Sequence, residues 1–312
     1  MIRRSLALGL CPIAAVMLIQ CSDNELGPVL VGITPKQIAE ADALFAEAEA
    51  EEKKGDYDDA IDRYEDLAND YPLSSNAGDA RYRQALLLDR EKNDRRDAFE
   101  AYEKFLSHYP SHPKYGETIE RVYEIAIGAQ RGDIQTNFLG IKGSLPLKET
   151  LEMLNAVKRH APKSDLAAKS QYAIGELYLR EKKYKSSVIA FSKVADDHHN
   201  HPLAPEALFR VGTTLQNMAE RGNENKATID LSREAFNDYL IQFPGHKRNA
   251  EARKMIASLD ASEVIRAAEI ADFYYKTEQW ESARIYYREV IKKTNSGPEH
   301  DRAKARLKEL DN

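Results

Sequence analysis

The run Asp196-Asp197-His198-His199-Asn200-His201 is the densest group of metal-ligating side chains in the sequence. Imidazole nitrogens and carboxylates are ligands for zinc and related ions. Adjacent residues of one turn seldom complete a tetrahedral set, because a metal site needs ligands converging from several directions. The expected reading is a polar turn, with no metal centre. Nucleophilic chemistry has less to work with. The only cysteines are Cys11 and Cys21, both near the N-terminus, so the rest of the chain has neither a thiolate nor a disulfide. No GxSxG, HExxH, GxxxxGK[ST] or GxGxxG occurs, so neither a catalytic residue nor a cofactor site is expected. Acidic residues such as Asp56, Asp58, Asp59, Asp62, Glu65 and Asp66 recur at helical spacing among Lys and Arg, which describes a solvated helix face. No small-molecule substrate follows from any of these residues.

The chemistry that remains is attachment. Arg3 and Arg4 precede an uncharged stretch from Ser5 to Ile19 that Pro12 interrupts, too short for a spanning helix and shaped like a secretory signal. Leu18-Ile19-Gln20-Cys21 resembles the lipobox of bacterial lipoproteins, with Leu18 at the usual place and Gln20 where a small residue is customary. The resemblance implies that residues 1–20 are removed, that Cys21 is lipidated, and that residues 21–34 form a tether. Several acyl chains anchor a protein where one would be marginal. Ser22 in place of aspartate is similar to the sorting signal for the outer membrane, which implies its periplasmic face.

Over 312 residues the chain carries 45 Lys+Arg against 51 Asp+Glu, a net charge of −6, with mean hydropathy −0.60. That balance lacks the basic field of a nucleic-acid binder, and the length suits one or two soluble domains.

What positions the remaining residues is a repeat of about 37 residues. The phrase GDYDDAIDRYEDLANDYP (55–72) returns as DAFEAYEKFLSHYP (97–110), with Pro72 and Pro110 separated by 38 residues and Gly175 and Gly212 by 37. The order small, aromatic, small, aromatic, apolar, proline resembles the tetratricopeptide repeat. The expected fold is all-α: a right-handed superhelical solenoid of about five to six helix pairs. Small residues (Ala48, Ala85, Gly175, Gly212, Ala271) fall where two helices must cross closely. They are matched on second helices by Ala60, Ala98, Ser187 and Ala283. Aromatics at Tyr64, Tyr102, Phe191, Phe236 and Tyr287 fill the wedge beside that crossing, and Pro72, Pro110, Pro162 and Pro244 end second helices. Thr34-Pro35-Lys36-Gln37 reads as a capping box opening the first helix. Residues 35–162 make an N-terminal set of repeats, and 163–312 a C-terminal set closed by a polar capping helix. Two stretches break the period and are expected as loops, one at 131–146 and one at 220–230.

In tetratricopeptide arrays the first helices line a concave face. On that resemblance, Phe45, Tyr82, Tyr172 and Phe209 would be aromatic anchors of a peptide-binding groove rimmed by Glu49, Arg83 and Arg90. With the lipobox beside the repeats, the chain resembles the BamD-like lipoproteins of the outer-membrane β-barrel assembly machinery. The likeness is strongest in residues 55–85 and 268–293. Periplasmic adaptors of the Tol-Pal type share the same repeat phrase. The BamD resemblance implies a non-enzymatic scaffold. Its N-terminal repeats, through Phe45, Tyr82, Arg83 and Arg90, would receive unfolded outer-membrane protein precursors. Its C-terminal repeats, through Tyr275, Lys276, Arg284 and Arg288, would hold the BamA-like barrel subunit.

Overall fold

The computed structural model describes residues 32–138, 141–221 and 226–311; the signal, Cys21 and most of the tether lie outside them. Among the described residues are thirteen helices. They are α1 (Pro35–Lys54), α2 (Tyr57–Asp70), α3 (Ala77–Arg90), α4 (Arg95–His108), α5 (Tyr115–Arg131), α6 (Leu147–His160) and α7 (Asp165–Arg180). They continue with α8 (Tyr184–Asp197), α9 (Ala204–Arg221), α10 (Lys226–Gln242), α11 (Asn249–Lys276), α12 (Trp280–Lys293) and α13 (Pro298–Leu310). Each helix packs on the next along the whole series. This is the nearest-neighbour plan of a tetratricopeptide solenoid: six pairs and a capping helix.

The first helix starts as its capping box requires. Gln37 N donates to Thr34 Oγ1 at 3.3 Å, and Thr34 N donates back to Gln37 Oε1 at 2.9 Å. Five first helices are followed within three residues by one in the left-handed region: Gly55 (φ 85°), Asn93 (φ 52°), Gly132 (φ 87°), Lys182 (φ 56°) and Glu278 (φ 58°). Glycine adopts that conformation freely, whereas a Cβ makes it costly. Second helices end one residue before Pro72, Pro110, Pro162 and Pro244 or earlier, at Asp70, His108, His160 and Gln242.

The crossings are as tight as the small residues demand. A Cβ on Gly175 would sit 2.6 Å from the Phe191 ring, and one on Gly212 would sit 2.7 Å from Phe236. Ala48, Ala85, Ala271, Ala60, Ala98 and Ala283 are fully buried, as are Tyr64, Phe191, Phe236 and Tyr287. Across two crossings a serine replaces alanine and bonds the glycine opposite: Ser187 Oγ donates to Gly175 O, and Ser232 Oγ to Gly212 O, each at 2.9 Å.

The apolar interior divides into four clusters. The largest runs from α3 through α8, continuous across residue 162. A second joins α8, α9, α10 and the first half of α11, ending at Leu259. A third lies under α1, α2 and α3. The fourth begins at Val264 and holds the second half of α11 with α12 and α13. Helix α11, at 28 residues, therefore serves two cores.

The expected loop at 131–146 is a β-hairpin instead. Strand β1 (Gln135–Phe138) pairs antiparallel with β2 (Ile141–Ser144), with Gln135 opposite Ser144. Isoleucine and leucine at its base, Ile134 and Leu145, are buried in the largest core. They fix the hairpin between α5 and α6.

Candidate interaction surface

The histidine run is placed by the turn between units, which has one hydrogen-bond pattern repeated five times. A hub residue donates its N–H to the residue just after the preceding second helix: Ser74 to Tyr71 O, His112 to Tyr109 O, Ser164 to Ala161 O, His201 to His198 O and His246 to Phe243 O. Its own carbonyl accepts from the residue three further on, at the start or in the first turn of the next first helix. His201 is thus the fourth hub, not a ligand. Its Nδ1 accepts from Leu203 N at 3.1 Å, and its Nε2 faces Asp165 Oδ1 at 2.8 Å. His112 repeats this: Nδ1 accepts from Lys114 N at 3.2 Å, and Nε2 lies 3.4 Å from Asp79. His199 stacks on Phe243 with centroids 5.2 Å apart. Among the described residues no group of three or more His, Cys, Asp or Glu is arranged to hold a metal.

The first helices carry the aromatic series expected at the groove, and each but the first meets a cation from the following unit, over the ring at Tyr82 and Phe209 and at the hydroxyl at Tyr172. Tyr82 leans on Phe105 at 5.7 Å, donates from its hydroxyl to Glu117 Oε1 at 2.8 Å, and lies under Lys114 Nζ, 5.7 Å from the centroid. Tyr172 packs on Phe191 at 5.1 Å and accepts from Arg210 Nε at 3.4 Å. Phe209 is 0 % exposed, wedged between Phe236 and Tyr239, with the Arg248 guanidinium 3.5 Å above its face. Tyr275, one unit later, lies under Arg306 of α13 at 4.4 Å. Cations over rings are attracted by the quadrupole and contribute about 0.5–1 kcal/mol at exposed sites.

These cations are held in turn by carboxylates. Arg210 pairs with Glu176 at 3.3 Å, Arg248 with Glu206 at 2.5 Å and Glu251 at 2.8 Å, and Lys114 with Glu117 at 2.9 Å. Arg83 is clasped by Glu52 at 2.7 Å and Glu49 at 3.6 Å on the preceding first helix. Arg121 bridges to Asp89, whose carboxylate is fully buried, and to Glu124. The side chains proposed as free anchors therefore stitch one first helix to the next. Phe209 is a correction to the expected groove: a ligand on that face meets Arg248, and the ring behind it belongs to the core.

Protonation follows this packing. Burial and the Glu117 hydrogen bond push the Tyr82 phenol up to about 12. Burial and Glu52 raise Tyr64. Burial would pull the Arg83 guanidinium down, yet the Glu52 hydrogen bond and neighbouring Tyr64, Glu52 and Glu49 hold it above its ordinary value.

Two groove residues keep an open surface. Phe45 is half-buried against Tyr64 at 5.7 Å, edge to face, and no described cation covers it. The Arg90 side chain is 62 % exposed, with Asp89 at 3.9 Å. At the C-terminal end, Tyr275 donates to Glu309 Oε2 at 2.9 Å and meets Trp280 edge to face at 5.4 Å. Arg284 clamps α13 through Asp311 Oδ1 at 3.2 Å and the Leu310 carbonyl. Lys276 and Arg288 are exposed, near the exposed side chains of Phe273 and Ile285. No described helix is long and apolar enough to cross a membrane.

A family model described as "YfiO: Outer membrane lipoprotein" matches residues 38–119, which covers α1 through α4 and the start of α5. Over those residues the chain is similar to that outer membrane lipoprotein family. No curated protein matches this chain. Among solved structures it is similar to a tetratricopeptide repeat protein from Parabacteroides merdae ATCC 43184, at 15% identity over 89% of this chain and 100% of that one, TM-score 0.31. It is also similar to MamA from Desulfovibrio magneticus RS-1, at 16% identity over 67% and 97%, TM-score 0.30. Pseudomonas aeruginosa PilF matches at 14% identity over 86% and 99%, TM-score 0.30. Superpositions this loose say nothing about what the chain binds.

Proposed function

We propose that this chain is a non-enzymatic, lipid-anchored scaffold of the outer-membrane β-barrel assembly machinery, held by Cys21 on the periplasmic face of the outer membrane. The observation that carries this reading is the match of residues 38–119 to an outer membrane lipoprotein family, set directly behind a lipobox-like Cys21. In this reading the N-terminal repeats (35–162) receive unfolded outer-membrane protein precursors. Phe45 and Arg90 serve as the contact points, because they alone among the expected groove residues keep an uncommitted surface. The other groove residues, Glu49, Tyr82, Arg83, Tyr172 and Phe209, keep the first helices in register. The C-terminal repeats (163–312) hold the barrel subunit, with Lys276 and Arg288 exposed for contact and Tyr275 and Arg284 supporting α13.

The reading is tested by extracting the protein from membranes and purifying it by affinity. Co-elution of a large β-barrel protein, together with labelled palmitate lost in Cys21→Ser, is the expected result. Absence of both from the wild-type chain would overturn it.

A further inference from the structure

Four cavities among the described residues are lined by carboxylates. Glu149 and Glu152 line the cleft between α4 and α6, Glu281 and Glu309 the one beside α13, Glu263 and Glu289 the one along α11 and α12, and Asp62 and Asp97 the one between α2 and α4. A fifth cavity, of about 260 Å³ between α6, α7 and α8, has none. Its polar lining carries the ammoniums of Lys158 and Lys193, the hydroxyls of Ser186 and Tyr178 and the amides of Asn155 and Gln171, with no carboxylate. Its floor is apolar, from Ile174 and Ala190.

Neither lysine has a carboxylate within 4 Å among the described residues, although the two share one cavity. Lys158 is instead pinned by neutral oxygens, donating to Gln171 Oε1 and to Asn155 Oδ1 at 3.4 Å. Gln171 is itself fixed, because its amide donates to Ala190 O at 2.9 Å. Two amide oxygens orient an ammonium without neutralising it. Burial, then the nearby Lys193 charge, pull the Lys158 ammonium below its ordinary value, and Asp197 only partly opposes them. Such a pair of like charges is stabilised by whatever brings a negative charge between them.

We propose that this cavity is a binding site for a carboxylate carried on an apolar carbon chain, the ammoniums of Lys158 and Lys193 taking the carboxylate and Ile174 and Ala190 the chain beside it. An acidic side chain or a chain terminus of a bound polypeptide has this chemistry. A bare phosphate would leave the apolar floor empty, and the rim has no guanidinium fork to clasp it. The site lies between the second helices α6 and α8 and the first helix α7, none of the aromatic anchors lines it, and it stands whether or not the chain serves outer-membrane assembly.

The probe is 4-methylpentanoate, titrated against the full chain with its binding followed by ligand line-broadening in NMR. Wild type is expected to broaden the probe at millimolar concentrations, and to ignore 4-methylpentanamide and inorganic phosphate at the same concentration. Lys158→Met is expected to weaken binding at least tenfold. Lys193→Glu, which sets a carboxylate of the chain's own at the rim, should do the same, with unchanged circular dichroism in both. Lys104→Met, in the cleft between α4 and α6, should leave it unchanged. Equal binding of the amide, binding of phosphate as tight as the carboxylate, or retention in Lys193→Glu would each overturn the assignment.

Discussion

Gly175 and Phe191 approach so closely that no side chain fits between them: a Cβ on the glycine would lie 2.6 Å from two atoms of the ring. The Ser187 hydroxyl closes the same crossing by donating to the Gly175 carbonyl at 2.9 Å. Gly175→Ala is therefore expected to destabilise the chain by about 1–3 kcal/mol through overpacking, less up to about 1 kcal/mol recovered from alanine's better helix propensity. Gly212→Ala should match it, because Phe236 stands in the same relation. Urea unfolding midpoints check both; an unchanged midpoint in the two variants would contradict the tight crossing.

The left-handed residues that follow first helices differ in what they cost. Lys182 at φ 56° and Glu278 at φ 58° hold a conformation that Gly55 and Gly132 adopt without strain. Lys182→Gly and Glu278→Gly are expected to raise stability by up to about 1 kcal/mol, and Gly55→Ala to lower it by a similar amount. Thermal unfolding of the three variants reads the sign directly, and a destabilised Lys182→Gly would refute the strain.

Glu263 ties three elements together at the end of the second core. Lys293 Nζ lies 2.6 Å away, Lys226 Nζ 3.3 Å and Arg233 Nη2 2.7 Å. Burial alone would raise its carboxyl, but these hydrogen bonds and charges outweigh it and hold it below the usual carboxylate range. A lowered value means that the folded state gains from ionised Glu263 above the unfolded value of about 4.3, and loses that gain as the pH falls through the folded value. Glu263→Gln should cost on the order of 1 kcal/mol at pH 7 after solvent screening, and should flatten the acid limb of the stability curve below about pH 4. Identical acid limbs in mutant and wild type would exclude this role.

Tyr82 acts at the other end of the scale. Its phenol, pushed up to about 12 by burial and by the Glu117 carboxylate, stays neutral when folded at a pH where an unfolded tyrosine ionises. The associated stability is complete below about pH 10 and is lost as the pH rises through about 12. Tyr82→Phe removes this loss, so its unfolding midpoint should fall less steeply than wild type between pH 10 and 12. Parallel slopes would count against it.

The buried side of each repeat could be read from residue types alone, because a close helix crossing admits only small side chains and leaves one wedge for a ring. Ala48, Gly175 and Tyr287 follow from that constraint. Ser232 escaped it because the insertion at 220–230 shifts the fifth unit out of period, although it faces Gly212 as Ser187 faces Gly175. The hairpin at 135–144 escaped because strands of four residues carry no measurable alternation. The aromatic series on first helices was visible, but its roofing was not. The covering cations come from the next unit, and a pattern within one repeat cannot say which exposed arginine will fold back over which ring. The hub role of His201 was hidden for the same reason, since Ser74 and Ser164 fill equivalent places with a different side chain.

Helix α11 belongs to two interiors at once, its first half to the core that ends at Leu259 and its second to the one that begins at Val264. A rod shared in this way leaves no swivel between the last helix pair and the units before it. A pull on α12 or α13 reaches the fifth unit as torque rather than being absorbed by a linker. Detaching the tail of the molecule requires melting helix, not bending a joint.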